Sequence, residues 1–167
     1  LFHWILTLAI AVIIALCVNR FVLVNAEIPS GSMENTIMTG DRVFGNRLAY
    51  IFGEPKRFDI IIFRYPDDEK QLFIKRIIGL PGETVEIHDG QIFIDGSKTP
   101  LKDVTTKEFM QGSFGPYTVP DNCYFVMGDN RNNSKDSRYW EHTFVTDDEI
   151  VGKAFLRYWP LNKIKFL

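Results

Sequence analysis

The feature that most constrains this chain is an apolar run at its N-terminus. From Trp4 to Val18 every residue except Thr7 is apolar, and the apolar character resumes after Asn19-Arg20. A helix over residues 1–24 would be about 36 Å long, enough to cross the ~30 Å hydrocarbon core of a bilayer. No polar face recurs at helical spacing, which argues against a buried helix of a soluble protein. We therefore expect an N-terminal transmembrane anchor over residues 1–25.

A second interpretation of the same run is a removable signal peptide. Val24-Asn25-Ala26 resembles a small-residue cleavage site that follows an apolar region. The long apolar reach favours a retained anchor, with Arg20 extending its guanidinium to the interface. Because the chain begins with Leu1, we expect further residues before it, and the positive-inside rule therefore gives no orientation.

The remainder of the chain has the composition of one folded domain. Of 167 residues, 46% are apolar, and about 140 remain once an anchor is set aside, enough for a single core. The formal net charge of −2 gives no electrostatic reason to expect nucleic-acid binding. Cys17 lies in the apolar run and Cys123 in the remainder, so the two cysteines do not form a disulfide framework.

Alternating and apolar segments bounded by turn residues predict a β-rich domain over residues 26–167. Asp89-Gly90 joins two of these segments and suits a tight type I′ hairpin turn. Residues 97–120 are polar and turn-rich, and we expect a small surface insertion at about residues 86–122. The fold predicted is mainly β, with antiparallel sheets and a partial barrel. The predicted strands are 41–44, 59–65, 71–78, 85–88, 91–94, 123–127 and 151–159.

The apolar segment Leu48-Ala49-Tyr50-Ile51-Phe52 allows two interpretations. It is the end of a strand or a core hairpin, or it is a loop tip that enters the bilayer interface beside the anchor.

Lys75 is the first residue with a chemical implication. In a strand, residues 73, 75 and 77 share one face, so Lys75 points the same way as Phe73 and Ile77. An apolar face desolvates an ammonium group and lowers its pKa, which makes a neutral amine available as a base. The alternative is that Lys75 extends into solvent at a sheet edge.

Ser30-Gly31-Ser32 supplies a candidate nucleophile. Gly31 lets a substrate backbone approach closely, and Ser32 is predicted near the N-cap of a helical turn over residues 33–38. Its own N–H and the Ser30 hydroxyl would then face a developing oxyanion. Alone, such a turn is also typical of an ordinary loop.

Three histidines are present, and none has a setting that predicts a Ser-His-Asp triad. We expect all three to be structural or surface residues: His3, His88 and His142. A polar segment over residues 128–140 is either a solvated turn or a hydrogen-bonded network beneath a site. In the second case Asp136 and Arg138 pair, and Ser134 accepts a hydrogen bond from Lys75.

With these motifs in order, the chain resembles the bacterial type I signal peptidases. The matching segments, along nearly the whole chain, are IPSGSM, GDRV, RFDIIIFRYP, FIKRIIGLPGE, MGDNRNNSKDSRYW and GKAFLRYWPL. The resemblance implies a fold of the signal peptidase and LexA-like type with one transmembrane helix. It also implies an endopeptidase that removes signal peptides from exported preproteins after A-x-A sites, anchored once in the plasma membrane with its catalytic domain on the extracytoplasmic face.

The resemblance carries roles onto individual residues. Ser32 would be the nucleophile and Lys75 the general base, with Ser30 in the oxyanion hole and Ser134 orienting the lysine. Asp136, Arg138 and Arg76 would form a supporting salt-bridge group, and Asp129 would be structural. The expected substrate pocket is apolar and is lined by Ile28, Pro29, Met33, Ile37, Phe73 and Ile74.

The expected partners are preprotein signal peptides and the lipid bilayer, with no nucleic acid, no cofactor and no metal. Many family members have proline two residues after the methionine of SGSM, where this chain has Asn35, so we expect a changed turn there. Two alternatives remain: a self-cleaving regulator of the LexA-like kind, disfavoured by the anchor, and a non-catalytic membrane-tethered β module.

Overall fold

The computed structural model describes residues 2–51, 53–103 and 108–167. One α-helix, α1 (Phe2–Cys17), is followed by a wider helical turn over Val18–Val22. Together they give a span, His3–Val22, that is long and apolar enough to cross a membrane and is not covered by the rest of the chain. The helical segment ends at Val22, and Leu23 already belongs to a strand. The predicted boundary between residues 25 and 26 therefore falls inside the first strand.

The rest of the chain is mainly antiparallel sheet, as predicted. The larger sheet has eight strands in the order β1-β2-β10-β3-β4-β8-β9, with β11 paired to β10. A smaller sheet has the order β6-β5-β7. The strands are β1 (Leu23–Glu27), β2 (Arg42–Asn46), β3 (Ile60–Tyr65), β4 (Asp68–Gly79), β5 (Thr84–His88), β6 (Gln91–Ile94), β7 (Phe114–Thr118), β8 (Cys123–Met127), β9 (Val145–Thr146), β10 (Ile150–Trp159) and β11 (Lys165–Phe166).

The continuous apolar run of β3 reflects burial on both faces of the large sheet. Ile60 and Ile62 pack into one core cluster with Val43, while Ile61 and Phe63 pack into another on the opposite face. Because successive strand residues point to opposite faces, only a run without alternation can fill both clusters.

The predicted insertion, at about residues 86–122, contains most of the smaller sheet, including the predicted hairpin. Its β5–β6 hairpin turns at Asp89 (φ 47°) and Gly90 (φ 76°), the left-handed pair that a type I′ turn requires. A third core cluster joins this sheet to the larger one, and Phe125 of β8 is fully buried at the junction. Its ring lies 4.9 Å from that of Tyr117 in β7.

The large sheet curls so that two of its edges face each other. β1 pairs only with β2 among the described strands. β4 pairs with β3 over residues 68–76 but with β8 only from Arg76 to Gly79, which leaves the first part of β4 unpaired on that side. The edge of β1 and the open edge of β4 line the two sides of one cleft. This is the gap in the predicted partial barrel.

Among the described residues, the segment after β2 shows which interpretation of Leu48–Phe52 holds. β2 ends at Asn46, and residues 47–51 form a turn in which the Ile51 N–H donates to Leu48 O. Leu48 and Ile51 are exposed, with 36% and 61% of their surface accessible. The interpretation as a strand end or core hairpin is therefore wrong, and Phe52 lies outside the described residues.

We predict that Phe125→Ala lowers the free energy of unfolding by about 3–5 kcal/mol, because it leaves a cavity between the two sheets. Phe166→Ala is the matched control, since Phe166 is 76% exposed and its loss changes stability by less than about 0.5 kcal/mol. Chemical denaturation of the detergent-solubilised protein measures both. Equal effects of the two substitutions would contradict the packing described for Phe125.

Candidate active site

Ser32 and Lys75 lie together in the structure, as the sequence predicted. The Lys75 ammonium donates a hydrogen bond to Ser32 Oγ at 2.7 Å and another to the Ile74 carbonyl at 3.1 Å. Both residues are buried, with 7% of Ser32 and 4% of Lys75 exposed. A serine hydroxyl and a lysine amine are thus held in direct contact at the base of the cleft.

The Ser32 side chain is positioned by the connection between β1 and β2. The Ile28 N–H donates to Asp41 O at 3.0 Å and the Gly40 N–H to Ile28 O at 2.8 Å, which closes the ends of this connection. Within it, Gly31–Met33 forms one 3₁₀ turn with Ser30 at its N-cap. The predicted turn over residues 33–38 is present in part, because the Thr36 and Ile37 N–H groups donate to Met33 O. It is not helical, since Glu34 is extended and Asn35 has a positive φ, and the N-cap is Ser30 rather than Ser32.

The turn after Ser32 depends on Asn35 in the way the sequence indicated. Asn35 has φ 87°, in the left-handed region. Asparagine tolerates this conformation, whereas proline is fixed near −65° and cannot adopt it. Asn35 therefore gives the chain a turn that a proline at the same position would not allow.

The segment after β8 closes the site from the other side. The Asn130 N–H donates to Ser32 O at 3.0 Å, and Asn130 Nδ2 donates to Gly31 O at 3.1 Å. A side chain at Gly128 would place its Cβ 2.3 Å from Ser134 Oγ and 2.4 Å from Ser32 O. Glycine is therefore required at residue 128 for this close approach.

Burial lowers the pKa of Lys75 from 10.5 to about 8. Desolvation is the main cause, and the carboxylates of Asp136 and Asp129 oppose it by favouring the ammonium form. The Phe73 ring centroid lies 5.3 Å from Lys75 Nζ, so the apolar neighbour predicted from strand alternation contributes to this environment. At pH 7 the balance makes the neutral amine far more accessible than in a solvated lysine.

The two groups predicted to face a developing oxyanion are the Ser30 hydroxyl and the Ser32 backbone N–H. Ser30 is exposed, and its Oγ lies 3.3 Å from Ser32 Oγ. The amide N–H of Ser32 is in the first turn of its 3₁₀ helix, where amides have no partner within the helix. Both groups are adjacent to the place where a substrate carbonyl would meet Ser32 Oγ.

Ser134 does not make the predicted hydrogen bond to Lys75. Its Oγ is buried and has no hydrogen-bond partner among the described residues. The second acceptor of Lys75 is instead the Ile74 carbonyl, which the strand itself brings within reach. Ser134 nevertheless packs against Gly128 beside Ser32 O, so it lies in the wall of the site.

Two buried ion pairs support the site, and they are separate. The Arg138 guanidinium donates to both oxygens of Asp136 at 2.8 and 2.9 Å, and the Gly128 N–H donates to the same carboxylate. Arg76, on the strand that carries Lys75, donates to both oxygens of Asp129. The prediction of a single group containing Arg76, Asp136 and Arg138 is wrong in this detail, because Asp129 is the partner of Arg76.

The cleft is about 570 Å³ in volume, and only part of the predicted pocket lines it. Ile28, Pro29, Phe73 and Ile74 do so. Met33 and Ile37 do not: both are fully buried in the core cluster beneath Ser32 and anchor its connection from below. The alternation pattern of the sequence did not predict Leu72 as a lining residue, although it is half exposed on the open edge of β4. The pattern also did not predict that the cleft has a polar rim. The rim residues are Asn25, Glu27, Gln71, Asn133 and Lys135.

None of the three histidines, all of which lie within the described residues, is found at the site. His3 is exposed on α1, His88 contacts Glu86 beside its hairpin turn at 2.9 Å, and His142 contacts Asp67 at 3.0 Å on the surface. Within residues 2–51, 53–103 and 108–167, no group of three or more His, Cys, Asp and Glu side chains could hold a metal ion.

Comparison with known proteins places this geometry in a family. The family model described as signal peptidase, peptidase S26, matches residues 1–159. A Synechocystis protein, probable signal peptidase I-2, is 38% identical over 96% of this chain and 74% of its own length. Signal peptidase I S of Bacillus subtilis (strain 168) is 37% identical over 98% of this chain and 91% of its own length.

A solved structure gives the same result. The crystal structure of a signal peptidase I from Enterococcus faecalis V583 is 37% identical to this chain and superimposes with a TM-score of 0.51. The match covers 60% of this chain and 96% of that one. Similarity of sequence along nearly the whole chain, together with this fold, shows that the chain belongs to the signal peptidase I family of S26 serine peptidases.

Proposed function

We propose that this chain is a membrane-anchored endopeptidase that removes signal peptides from preproteins, with Ser32 as nucleophile and Lys75 as general base. The observation that carries the proposal is the 2.7 Å contact between Ser32 Oγ and a buried amine whose pKa is lowered to about 8. A serine hydroxyl needs a positioned base to become an effective nucleophile, and the described residues offer no histidine in that place.

The reaction begins with neutral Lys75. Its amine accepts the Ser32 proton while Oγ attacks the scissile carbonyl, and the carbonyl oxygen becomes an oxyanion. The Ser32 N–H and the Ser30 hydroxyl donate to this oxyanion. The Lys75 ammonium then gives its proton to the leaving amine, and the neutral amine activates the water that hydrolyses the acyl-enzyme.

The supporting residues keep this geometry. The Asp136–Arg138 and Arg76–Asp129 pairs hold the floor of the site, and the Ser134 hydroxyl, free of other hydrogen bonds in the described part of the chain, is available to orient Lys75 during the reaction. Removing one partner of such a buried pair leaves an uncompensated charge, which is strongly destabilising.

The open strand edges favour an extended substrate. A peptide in the cleft would add as a strand between β1 and the unpaired part of β4, and its backbone would satisfy groups that β4 leaves without a strand partner. Ile28, Pro29, Phe73 and Ile74 crowd the cleft, which favours small side chains such as the alanines of an A-x-A site. This arrangement needs no cofactor or metal.

The same geometry favours a bilayer beside the site. Arg47 donates its backbone N–H to Val22 O at 2.8 Å and its Nε to Leu23 O at 2.9 Å, which fixes the turn after β2 to the end of the apolar helix. If His3–Val22 spans the membrane, exposed Leu48 and Ile51 reach the interface beside it. Because signal peptides are removed from exported chains, the proposed function would place the catalytic domain, residues 26–167, on the extracytoplasmic face of the plasma membrane, as part of a single-pass protein.

Ser32→Ala and Lys75→Ala are expected to abolish cleavage, each with a loss of at least about 10³-fold in kcat, because neither step proceeds without both groups. Lys75→Arg is the informative companion, since an arginine stays charged and cannot act as the base. The measurement is cleavage of a preprotein added to the detergent-solubilised chain, with mass analysis of both proteins. Ser97→Ala, at an exposed turn, is the control.

This assay separates the alternatives. A self-cleaving regulator would cut itself but not the added preprotein, and a non-catalytic module would cut neither. If Lys75→Ala cleaved the preprotein at nearly the wild-type rate, the assignment of Lys75 as the general base for Ser32 would be wrong.

The pH dependence follows from the direction of the Lys75 shift. Since the reactive form is the neutral amine, kcat/KM should rise about tenfold per pH unit below pH 8 and level off above it. A pH-rate profile on a substrate without groups that titrate between pH 6 and 10 measures this. A profile that is flat from pH 6 to 9 would contradict a lysine base with a pKa of about 8.

Contact of the turn with lipid is tested with an environment-sensitive fluorophore on Ile51→Cys, in a chain whose Cys17 and Cys123 are replaced by Ala. We expect its emission to shift to the blue in phospholipid vesicles, because residue 51 enters the interface. Phe109→Cys is the control, since Phe109 is 71% exposed on the smaller-sheet side and is not attached to the helix end. Identical emission from the two positions would show that the turn does not meet the bilayer.

A further inference from the structure

One charged side chain on the rim of the cleft has no role in the chemistry described above. Lys135 follows Ser134 in the segment between β8 and β9, is exposed, and lines the cleft together with Asn133. Among the described residues it forms no ion pair within 4.0 Å. Its ammonium is therefore available to a bound ligand.

An aromatic pair fixes where this ammonium sits relative to the nucleophile. Lys135 Nζ lies 5.6 Å from the centroid of the Tyr65 ring, and that ring stacks on Phe73 with centroids 4.3 Å apart. The Phe73 ring in turn lies 5.3 Å from Lys75 Nζ. The two aromatic rings thus lie between the buried lysine that faces Ser32 and the exposed lysine on the rim.

The aromatic platform is electrically neutral. Burial and the hydrogen bond from Tyr65 Oη to Asp67, at 2.7 Å, raise the pKa of Tyr65 to about 12. Asp67 itself also accepts hydrogen bonds from the His142 and Glu141 backbone amides, so its carboxylate is already satisfied. A neutral ring face attracts a cation, which holds Lys135 at this point of the rim rather than leaving it fully mobile.

The other charged side chains of the cleft do not offset the positive charge of Lys135. Glu27 lies on the opposite wall, and Arg42 is 3.4 Å from its carboxylate. Lys75 is only 4% exposed, and its neutral form is the reactive one. An extended peptide in the cleft therefore meets one exposed, unpaired positive charge, on the side where β4 is open.

We propose that Lys135 is a specificity-determining residue that favours preproteins with an acidic side chain a few residues from the scissile bond. The inference rests on the proposed function, because it assumes that a peptide occupies the cleft with its scissile carbonyl at Ser32. Along β4, Phe73 lies two residues from Lys75, a distance of roughly 7 Å. In an extended substrate, residues that are two apart point to the same face of the strand. The affected substrate position is therefore two or three residues from the bond that is cut.

The test uses peptides derived from one cleaved preprotein that differ only in carrying Asp or Lys at a single position, from three residues before the scissile bond to three after it. Competition between each Asp and Lys pair gives the ratio of their kcat/KM values. For the wild-type chain we expect a ratio of about threefold or more in favour of Asp at one of these positions, the size of a partly exposed ion pair. In Lys135→Glu the ratio should invert at that position and stay unchanged at the others.

Two further variants keep the result interpretable. Lys135→Met retains most of the aliphatic stem without the charge and should bring the ratio close to one. Lys98→Glu makes the same change of net charge at an exposed turn of the smaller sheet and should behave as wild type. Raising the salt concentration to about 1 M should shrink the wild-type preference, because the Debye length falls to about 3 Å.

The outcomes separate this inference from the proposed function. If the wild-type chain cleaves the parent peptide but Lys135→Glu keeps the wild-type ratios at every position, Lys135 does not read substrate charge while the peptidase assignment stands. If no peptide and no preprotein is cleaved by the wild-type chain, the proposed function fails and the inference fails with it.

Discussion

The structure depends on keeping one lysine out of water. Lys75 is 4% exposed, and a shift of its pKa from 10.5 to about 8 corresponds to an energetic cost of about 3 kcal/mol for the charged form. A cost of this size is a large fraction of the stability of an ordinary domain. The carboxylates of Asp136 and Asp129 limit this cost, because their charges oppose the effect of burial. The site therefore combines a desolvated amine with nearby carboxylates that are themselves neutralised by Arg76 and Arg138.

Three parts of the chain that are far apart in sequence enclose this lysine. β4 supplies Lys75, the β1–β2 connection supplies Ser32, and the segment after β8 supplies the carboxylates. They are joined by backbone hydrogen bonds as well as by side chains, such as the Asn130 N–H that donates to Ser32 O. Because each part contacts the other two, the position of Ser32 is coupled to that of the ion pairs beneath it.

Much of this arrangement could be predicted from the sequence. The Asp89-Gly90 turn, the strand that carries Lys75 and the pairing of Asp136 with Arg138 follow from local rules on turns, alternation and charge. The fold class and the family followed from the order of the motifs. Short strands such as β9 and β11 were missed because two residues carry no periodic signal.

The errors have physical causes. Met33 and Ile37 are apolar and match positions that the family resemblance assigns to the pocket, but the fold buries both in the core beneath Ser32. The pairing of Arg76 with Asp129 spans 53 residues of sequence and depends on tertiary packing, which no local pattern encodes. Lys75 donates to the Ile74 carbonyl, a group every strand carries and no sequence motif marks, and the absence of a Ser134–Lys75 bond is a matter of tertiary geometry.

The first strand, β1, lies between the apolar helix and the connection that carries Ser32. β1 begins one residue after the apolar helix ends and covers five residues, about 17 Å of extended chain, before the connection that carries Ser32. The strand also forms one wall of the cleft. If the helix lies in a bilayer, the height of the reaction centre above the lipid is set by a rigid, hydrogen-bonded spacer rather than by a flexible tether. Under the proposed function, a spacer of fixed length would determine which peptide bond of a substrate comes level with Ser32, before any side chain is recognised.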